Sequence, residues 1–329
     1  MSFAPLFDRF TSLKAVVLGD IMLDTYWWGQ VDRISPEAPV PIVALERKEA
    51  RVGGAANVAL NLAALGAKTH VFAVVGEDAE GNDLVDLLSQ NGIQTKGILA
   101  DPDRPTTTKT RIMGRHQQMM RLDAETTQDL SPTMEAKLQE KLFAFLENEK
   151  PELLVFEDYN KGVLTDGLIR ACAARCRALG IFTAVDPKRK NFLSYLGVDL
   201  FKPNLKEVKD GLGLSPALID LTAMQAIHAA LAQVLHHRIS LVTLSEKGVF
   251  YQMETEAQLI PTHVRNIADV SGAGDTVIAV AALAYVASGK MSLAAEMANI
   301  AGGLVCEEVG TAPIRPDRLL AECERLLKP

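Results

Sequence analysis

Five short apolar runs, each ending in polar residues, constrain the fold of this chain more than any other feature: KAVVLGD, LLVFEDY, IFTAVDP, DLFKPN and LVTLSE. Runs of this length, bounded by polar tips and separated by helical spacing, read as strands buried on both faces in parallel βαβ units. The expected fold is α/β: a doubly wound, mainly parallel sheet with helices on both faces. The tips are Gly19-Asp20, Glu157-Asp158, Asp186-Pro187-Lys188, Pro203-Asn204 and Ser245. In open α/β sheets, ligands sit beyond the carboxyl ends of the strands. A site on this polar rim is therefore expected before any motif is considered.

Two stretches break the alternation. TYWWGQVDRISPEAPVPIVALERKEARVGG holds two extended runs around a Pro-rich turn and reads as a hairpin leaving the main body. TTTKTRIMGR and QMMRLDAE read as two further extended pieces added to an antiparallel sheet. Together they predict a small β lid at about 24–52 and 106–123. Trp27 and Trp28 are adjacent in the hairpin and so should face opposite sides of it. Residues 54–65 have helical spacing and stop at Gly66. Helices are also expected after Ser271 and from Leu293 to about Val305. With no composition break or repeat, residues 1–329 read as one domain.

The bulk numbers narrow the function. A net charge of −7 over 329 residues argues against a general nucleic-acid or anionic-membrane binder. No apolar run is long enough to span a bilayer. The N-terminus carries Asp8 and Arg9 and runs straight into a strand, unlike a secretory signal. Cys172 and Cys176 are spaced for one helix face, but no His or Cys pair completes a zinc site. Thiols used this way fit a reducing cytoplasm. His236 and His237 read as surface residues ahead of a strand.

Four motifs could carry chemistry. In DVSGAGDT, Gly272, Ala273 and Gly274 let backbone N–H groups converge where a helix begins, which favours an anion such as a phosphoryl group. Asp275 could take a proton from an attacking hydroxyl. A tight strand-to-helix turn explains the same residues. In KPNLKE, Asn204 and Glu207 suit a phosphate or a water-held Mg²⁺, and equally a helix capping box. In TLSEKG, Ser245 and Gly248 could lie along a triphosphate, or simply form a β-turn. In ARVGGAANVAL, Gly53 and Gly54 open a helix whose Asn57 suits hydroxyl recognition, or serves helix entry alone. Neither a P-loop nor a dinucleotide-binding glycine fingerprint is present, which removes a dinucleotide oxidoreductase.

The order of these pieces is more specific than any one of them. GD with Asp24 following, G-G-x-x-N, V-G-x-D at residues 75–78, P-N-x-x-E, T-L-S-x-x-G and V-S-G-A-G-D-T occur in sequence over nearly the whole chain. In this the chain resembles the ribokinase-like sugar kinases. GDIMLDTYWWGQVDRISPEAPVPIV, with DYNKG, DPK and DVSGAGDTV, is similar to the D-glycero-β-D-manno-heptose 7-phosphate kinases of lipopolysaccharide core biosynthesis. Those enzymes use ATP and Mg²⁺ to phosphorylate the anomeric hydroxyl.

The resemblance implies a ribokinase-like fold with a β-sheet lid that often makes a homodimer contact. Many relatives fuse this kinase to a nucleotidyltransferase domain; with the sequence ending at Pro329 no such fusion is expected here, and a separate adenylyltransferase would have to follow. Asp275 would be the general base, and Gly272, Ala273 and Gly274 the anion hole. Asn204, Glu207, Ser245, Gly248 and Asn299 would serve the nucleotide, with Glu207 holding Mg²⁺ through water. Asp20, Asp24, Gly53, Gly54 and Asn57 would read sugar hydroxyls, with Asp158 beside them. A 7-phosphate needs cations, and Lys188 heads a set with Lys161, Arg111, and Arg115 or Arg121, which Asp123 could orient. The alternatives are another ribokinase-like sugar or nucleoside kinase, or a sugar-binding regulator that has lost catalysis. An intact Asp275 speaks against the regulator.

Overall fold

The structure is a computed structural model, and it describes residues 3–114, 117–214, 218–263 and 265–327. In chain order the first elements are α1 (Ala4–Phe10), β1 (Lys14–Gly19), β2 (Ile21–Ile34), β3 (Pro41–Gly54), α2 (Ala55–Ala64), β4 (Lys68–Gly76), α3 (Ala79–Gln90) and β5 (Gln94–Asp101). Next come β6 (Thr108–Gly114), β7 (Gln117–Ala124), α4 (Pro132–Glu149), β8 (Leu153–Glu157), α5 (Asp166–Leu179), β9 (Phe182–Asp186) and β10 (Leu200–Phe201). The chain closes with α6 (Leu205–Leu212), α7 (Leu221–Leu235), β11 (Ile239–Thr243), β12 (Val249–Met253), β13 (Glu256–Ile260), α8 (Ala273–Ser288), α9 (Met291–Val305) and α10 (Pro316–Leu326).

The main sheet runs β13-β12-β11-β10-β9-β8-β1-β4-β5, parallel from β11 through β5 and antiparallel at β11–β12–β13. Period-2 alternation divides each buried strand between two cores. Ala15 and Val17 of β1 join α2, α8 and α9, whereas Val16 and Leu18 join α4, α5 and α7. From β1 the chain winds to β4 and β5 on one side, then to β8 and β9 on the other. The β1/β8 boundary is thus the switch point at which an α/β crevice opens.

A second sheet runs β3-β2-β6-β7 and corresponds to the expected outgrowth. One correction applies: β6 pairs with β2 in parallel, Leu23↔Thr108 to Gly29↔Gly114, so the lid is mixed rather than antiparallel. The β4–α3–β5 excursion supplies the crossover that a parallel neighbour requires. Only Asp20 separates β1 from β2, and β3 runs directly into α2. The lid is therefore rooted in the strand ends.

Three other readings change. The N-terminal segment forms helix α1 before its strand, with Pro5 in the first turn where a missing N–H costs nothing. Strands β5 and β13 and helix α10 complete elements the sequence pattern did not separate. His237 is not a surface residue. It is buried, with Nε2 2.6 Å from Ser240 Oγ and His228 Nδ1 2.9 Å from the same oxygen. The cause is His236, whose left-handed φ of 54° ends α7 and turns the next side chain inward. Cys172 and Cys176 are buried free thiols on α5. No helix among the described residues is long and apolar enough to cross a membrane.

Candidate active site

Helix α8 starts at the crevice. Gly272 is its N-cap at φ 77°, and a Cβ there would lie 2.6 Å from Asn57 Nδ2, so glycine is required on two counts. Asp275, in the first turn, is only 3% exposed. Its Oδ2 accepts from Asn57 Nδ2 at 2.8 Å and its Oδ1 from the Tyr159 hydroxyl at 2.7 Å. Burial pushes Asp275 up to about 6, against the two hydrogen bonds, which favour the ionised form. Asn57 is itself held by Asn61, whose Nδ2 donates to the Asn57 carbonyl at 2.8 Å. Asn61 Oδ1 in turn accepts from Thr276 and from the Ile314 N–H, at 3.2 and 2.9 Å. A buried carboxylate with a pKa near neutrality, at a helix N-terminus, suits general-base chemistry.

Two more acids face Asp275. Ligand atoms of Glu157, Asp186 and Asp275 lie within 4.8 Å of one another. Lys202 Nζ pairs with Asp186 Oδ2 at 2.8 Å, and Lys188 Nζ lies 3.7 Å from Asp186 Oδ1 and 2.9 Å from Glu207 Oε1. Burial, then Asp186 and Asp275, push Glu157 well above the usual carboxyl range. Burial opposes the charge on Lys188, but Asp186, Glu207 and Glu157 outweigh it and raise that amine. Both Glu157 carboxylate oxygens and Asp186 Oδ1 are buried with no hydrogen-bond partner. Buried oxygens in that state, on converging carboxylates, fit a hard divalent cation such as Mg²⁺. Glu207, expected to hold Mg²⁺ through water, forms the capping box that the sequence equally allowed: Oε2 accepts from the Asn204 N–H at 2.8 Å and Asn204 Oδ1 from the Glu207 N–H at 2.9 Å. With Oε1 on Lys188 as well, both Glu207 oxygens have hydrogen-bond partners, whereas both Glu157 oxygens and Asp186 Oδ1 have none.

The carboxylates of Asp20 and Asp158 organise a loop. Asp20 Oδ2 accepts from the N–H groups of Tyr159 (2.9 Å) and Lys161 (3.0 Å), and Oδ1 from that of Val163 (3.0 Å). Asp158 Oδ1 accepts from the Asn160 N–H at 2.8 Å, and its Oδ2 from Asn191 Nδ2 and the Tyr195 hydroxyl at 3.1 and 2.9 Å. Both acids are buried, at 1% and 0% exposure. Their oxygens serve the protein's own groups, not the sugar hydroxyls the sequence suggested. The physical reason is the turn after β8, with Asn160 at φ 55°, which aims successive N–H groups at β1's tip.

On the lid side, Asp24 lies against Gly53, where a Cβ would come 2.6 Å from its Oδ2, and pairs with Arg111 Nη1 at 2.9 Å. Gly54, at φ 59°, would put a Cβ 2.5 Å from the Asp20 carbonyl oxygen. Lys161 Nζ pairs with Glu125 at 2.7 Å, and Lys109 meets the same residue. Arg121 is held in two bonds by Asp123, each 2.8 Å. Arg115 lies outside the described residues. Of the cations expected to serve a second phosphate, Lys188 is drawn into the acid cluster, and Arg111 and Lys161 remain near the lid. Lys48 lies over Trp27 at 4.4 Å and Arg47 over Trp28 at 5.2 Å, so the two indoles take opposite faces of the hairpin.

The remaining residues lie along the far rim. Asn204 bridges to Thr243, next to the Ser245–Lys247 turn. Gly248, at φ 95°, presses against the Ile260 carbonyl, where a Cβ would come within 1.9 Å. Asn299 Nδ2 donates to the Pro261 carbonyl at 2.9 Å. The residues not singled out by sequence reasoning are Tyr159, Lys202 and Asn61, with Glu157 and Asp186 noted only as strand tips. Tyr159 had one available signal, an aromatic hydroxyl directly after a strand tip on a carboxylate-rich rim.

A family model described as pfkB family carbohydrate kinase matches residues 12–318. A protein of Methylobacillus flagellatus named bifunctional protein HldE is 42% identical over 313 residues, covering 94% of this chain and 63% of its own length. One of the same name from Citrifermentans bemidjiense is 38% identical over 317 residues, covering 96% and 64%. The chain thus spans less than two thirds of the length of these relatives. Among solved structures, Arabidopsis thaliana ribokinase complexed with ribose and ATP superposes with a TM-score of 0.70 at 18% identity, over 94% of this chain and 98% of that one. Escherichia coli phosphofructokinase-2 in complex with substrates and products gives 0.76 at 17% identity, over 95% and 100%. At these identities the structural likeness concerns the fold.

Proposed function

Because this chain belongs to the pfkB family of carbohydrate kinases, its reaction is phosphoryl transfer to a sugar, and we propose that the acceptor is O1 of D-glycero-β-D-manno-heptose 7-phosphate. ATP is the donor and the product is the 1,7-bisphosphate, a step toward ADP-heptose for lipopolysaccharide core. The observation that carries the chemistry is Asp275, buried in the first turn of α8 and held by Asn57 and Tyr159. The acceptor rests on the resemblance through GDIMLDTYWWGQVDRISPEAPVPIV, DYNKG and DPK, supported by relatives at about 40% identity named bifunctional protein HldE.

In this reading the acceptor oxygen bonds to the γ-phosphorus while the bond from phosphorus to ADP breaks, its electron pair leaving on ADP. The hydroxyl proton passes to Asp275. The N–H groups of Gly274 and Asp275 belong to a first helical turn, whose donors have no intrahelical partner, and they meet the charge gathering on the phosphoryl oxygens. A Cβ on Gly274 would meet nothing closer than Asp186 Oδ2 at 3.7 Å. The fold's own packing therefore does not demand glycine there, and a close-approaching ligand would. Lys188 and Lys202 add positive charge beside the transfer site. Glu157 and Asp186 would hold Mg²⁺, which when bound neutralises phosphate charge. Asn57 and Asp24 face the sugar, Arg111 and Lys161 its phosphate, and Asn204, Ser245, Gly248 and Asn299 the nucleotide. The lid carries exposed Ile34, Val40, Leu45, Met120 and Leu122, which supports pairing with a second copy.

ADP release with ATP, Mg²⁺ and a panel of α- and β-heptose 7-phosphate, fructose 6-phosphate, ribose and adenosine tests this. Turnover confined to the β-heptose phosphate is expected. Turnover on another member alone would overturn the acceptor while leaving the kinase chemistry in place.

A further inference from the structure

We propose that Tyr159 is a positioning residue for phosphoryl transfer: its hydroxyl fixes the plane of the Asp275 carboxylate so that one lone pair faces the acceptor hydroxyl. The inference rests on the reading of Asp275 as the base and goes beyond it.

A carboxylate held at one oxygen is free to turn about its Cβ–Cγ bond. Asp275 is held at both, Oδ2 by Asn57 from α2 and Oδ1 by Tyr159 from the loop after β8. The two donors come from different elements, α2 and the loop after β8, and together they define the plane. Each oxygen retains further acceptor capacity for the incoming proton.

The rest of the loop is built to hold that hydroxyl still. The N–H of Tyr159 and those of Lys161 and Val163 all end on Asp20, and the Asn160 N–H ends on Asp158. Gly162, at φ 90°, is pressed against the Gln128 carbonyl, where a Cβ would come within 1.8 Å. Lys188 Nζ sits over the Tyr159 ring, 5.1 Å from its centroid. The backbone, the ring and the hydroxyl are thus each fixed by a different group. The charged groups facing this pair are Glu157 from β8, Asp186 and Lys188 at the end of β9, and Lys202 after β10. None of them reaches the Tyr159 oxygen with a hydrogen bond.

The test is a double-mutant cycle on the full chain, using steady-state ADP release on whichever sugar the wild type turns over. Tyr159→Phe removes one oxygen from a partly exposed side chain. It is expected to lower kcat by about tenfold to a hundredfold, the range for one hydrogen bond to a charged group, with KM for sugar and for ATP nearly unchanged. On an Asp275→Asn background the same change is expected to have no further effect on the residual rate, because Tyr159 acts only through that carboxylate. Should the phenylalanine variant prove unstable in a thermal melt, Tyr159→Met deletes the same hydroxyl. An unchanged kcat, a raised KM at constant kcat, or an equal loss with and without Asp275 would each overturn the proposal. If Asp275→Asn alone keeps full turnover, it is the base assignment that fails.

Discussion

Asp20→Ala separates two uses of a strand-tip carboxylate. The substitution leaves the N–H groups of Tyr159, Lys161 and Val163 without their acceptor. A buried, unsatisfied N–H costs about 1–3 kcal/mol, so three cost about 6 kcal/mol. Against this stands the cost of holding Asp20 ionised. Burial, then the nearby Asp158, raises it from 3.8 to about 6, which at neutral pH amounts to about 3 kcal/mol. The net expectation is a loss of about 3 kcal/mol at pH 8, or a fall in Tm of about 4 °C for a chain of 329 residues. The pH dependence has a definite sign. A carboxyl whose folded pKa is raised stabilises fully below its unfolded value, and that contribution is lost as pH rises through about 6. The deficit of the variant should therefore be larger by about 1 kcal/mol at pH 5 than at pH 8. Urea titrations of both proteins at the two pH values measure it. Wild-type stability with a raised KM for sugar would refute the reasoning and return Asp20 to hydroxyl recognition.

Other expectations follow from the same geometry. Burial, then His228, depresses His237 to about 3, so its contribution is present above the unfolded value of 6.5 and lost as pH falls. Wild type should lose about 2 kcal/mol more than His237→Leu between pH 7 and pH 5 in urea titrations, and equal losses would contradict the buried assignment. Gly272→Ala forces a Cβ to 2.6 Å from Asn57 Nδ2 at φ 77°, and should cost about 1–2 kcal/mol of stability and about tenfold in kcat. A Gly272→Ala enzyme with wild-type kcat would show that the Asn57–Asp275 contact is dispensable. Glu157→Gln should weaken Mn²⁺ binding, read by electron paramagnetic resonance, by about tenfold or more, whereas Glu207→Gln should change it little. The reverse order would place the cation on Glu207.

Much of the architecture was legible because it is written in short-range pattern. Apolar runs with polar tips identified β1, β8, β9, β10 and β11, and the Pro-rich turn identified the β2–β3 hairpin. The direction of β6 was not legible, since its residues are the same read against a parallel or an antiparallel neighbour. The Gly272–Asp275 turn stood out because glycine before a buried helix is costly, and the structure shows what the first glycine avoids. The roles of the acids were harder. Asp20, Asp24 and Asp158 are alike in sequence, yet Asp20 and Asp158 end on the protein's own amides and side chains while Asp24 meets an arginine from the lid. Which groups Asp20 and Asp24 meet depends on contacts far along the chain, with Tyr159 at a separation of 139 and Arg111 at a separation of 87. Tyr159 and Lys202 were missed because each gains its meaning only from a partner on another element, Asp275 of α8 and Asp186 of β9.

The central claim is that Asp275 takes the acceptor proton in a sugar kinase, and Asp275→Asn tests it most directly. Its kcat should fall by about three orders of magnitude or more, while calorimetric titration with ADP and with sugar phosphate shows binding within a few-fold of wild type. Turnover at the wild-type rate, or loss of activity only through lost binding, would contradict it.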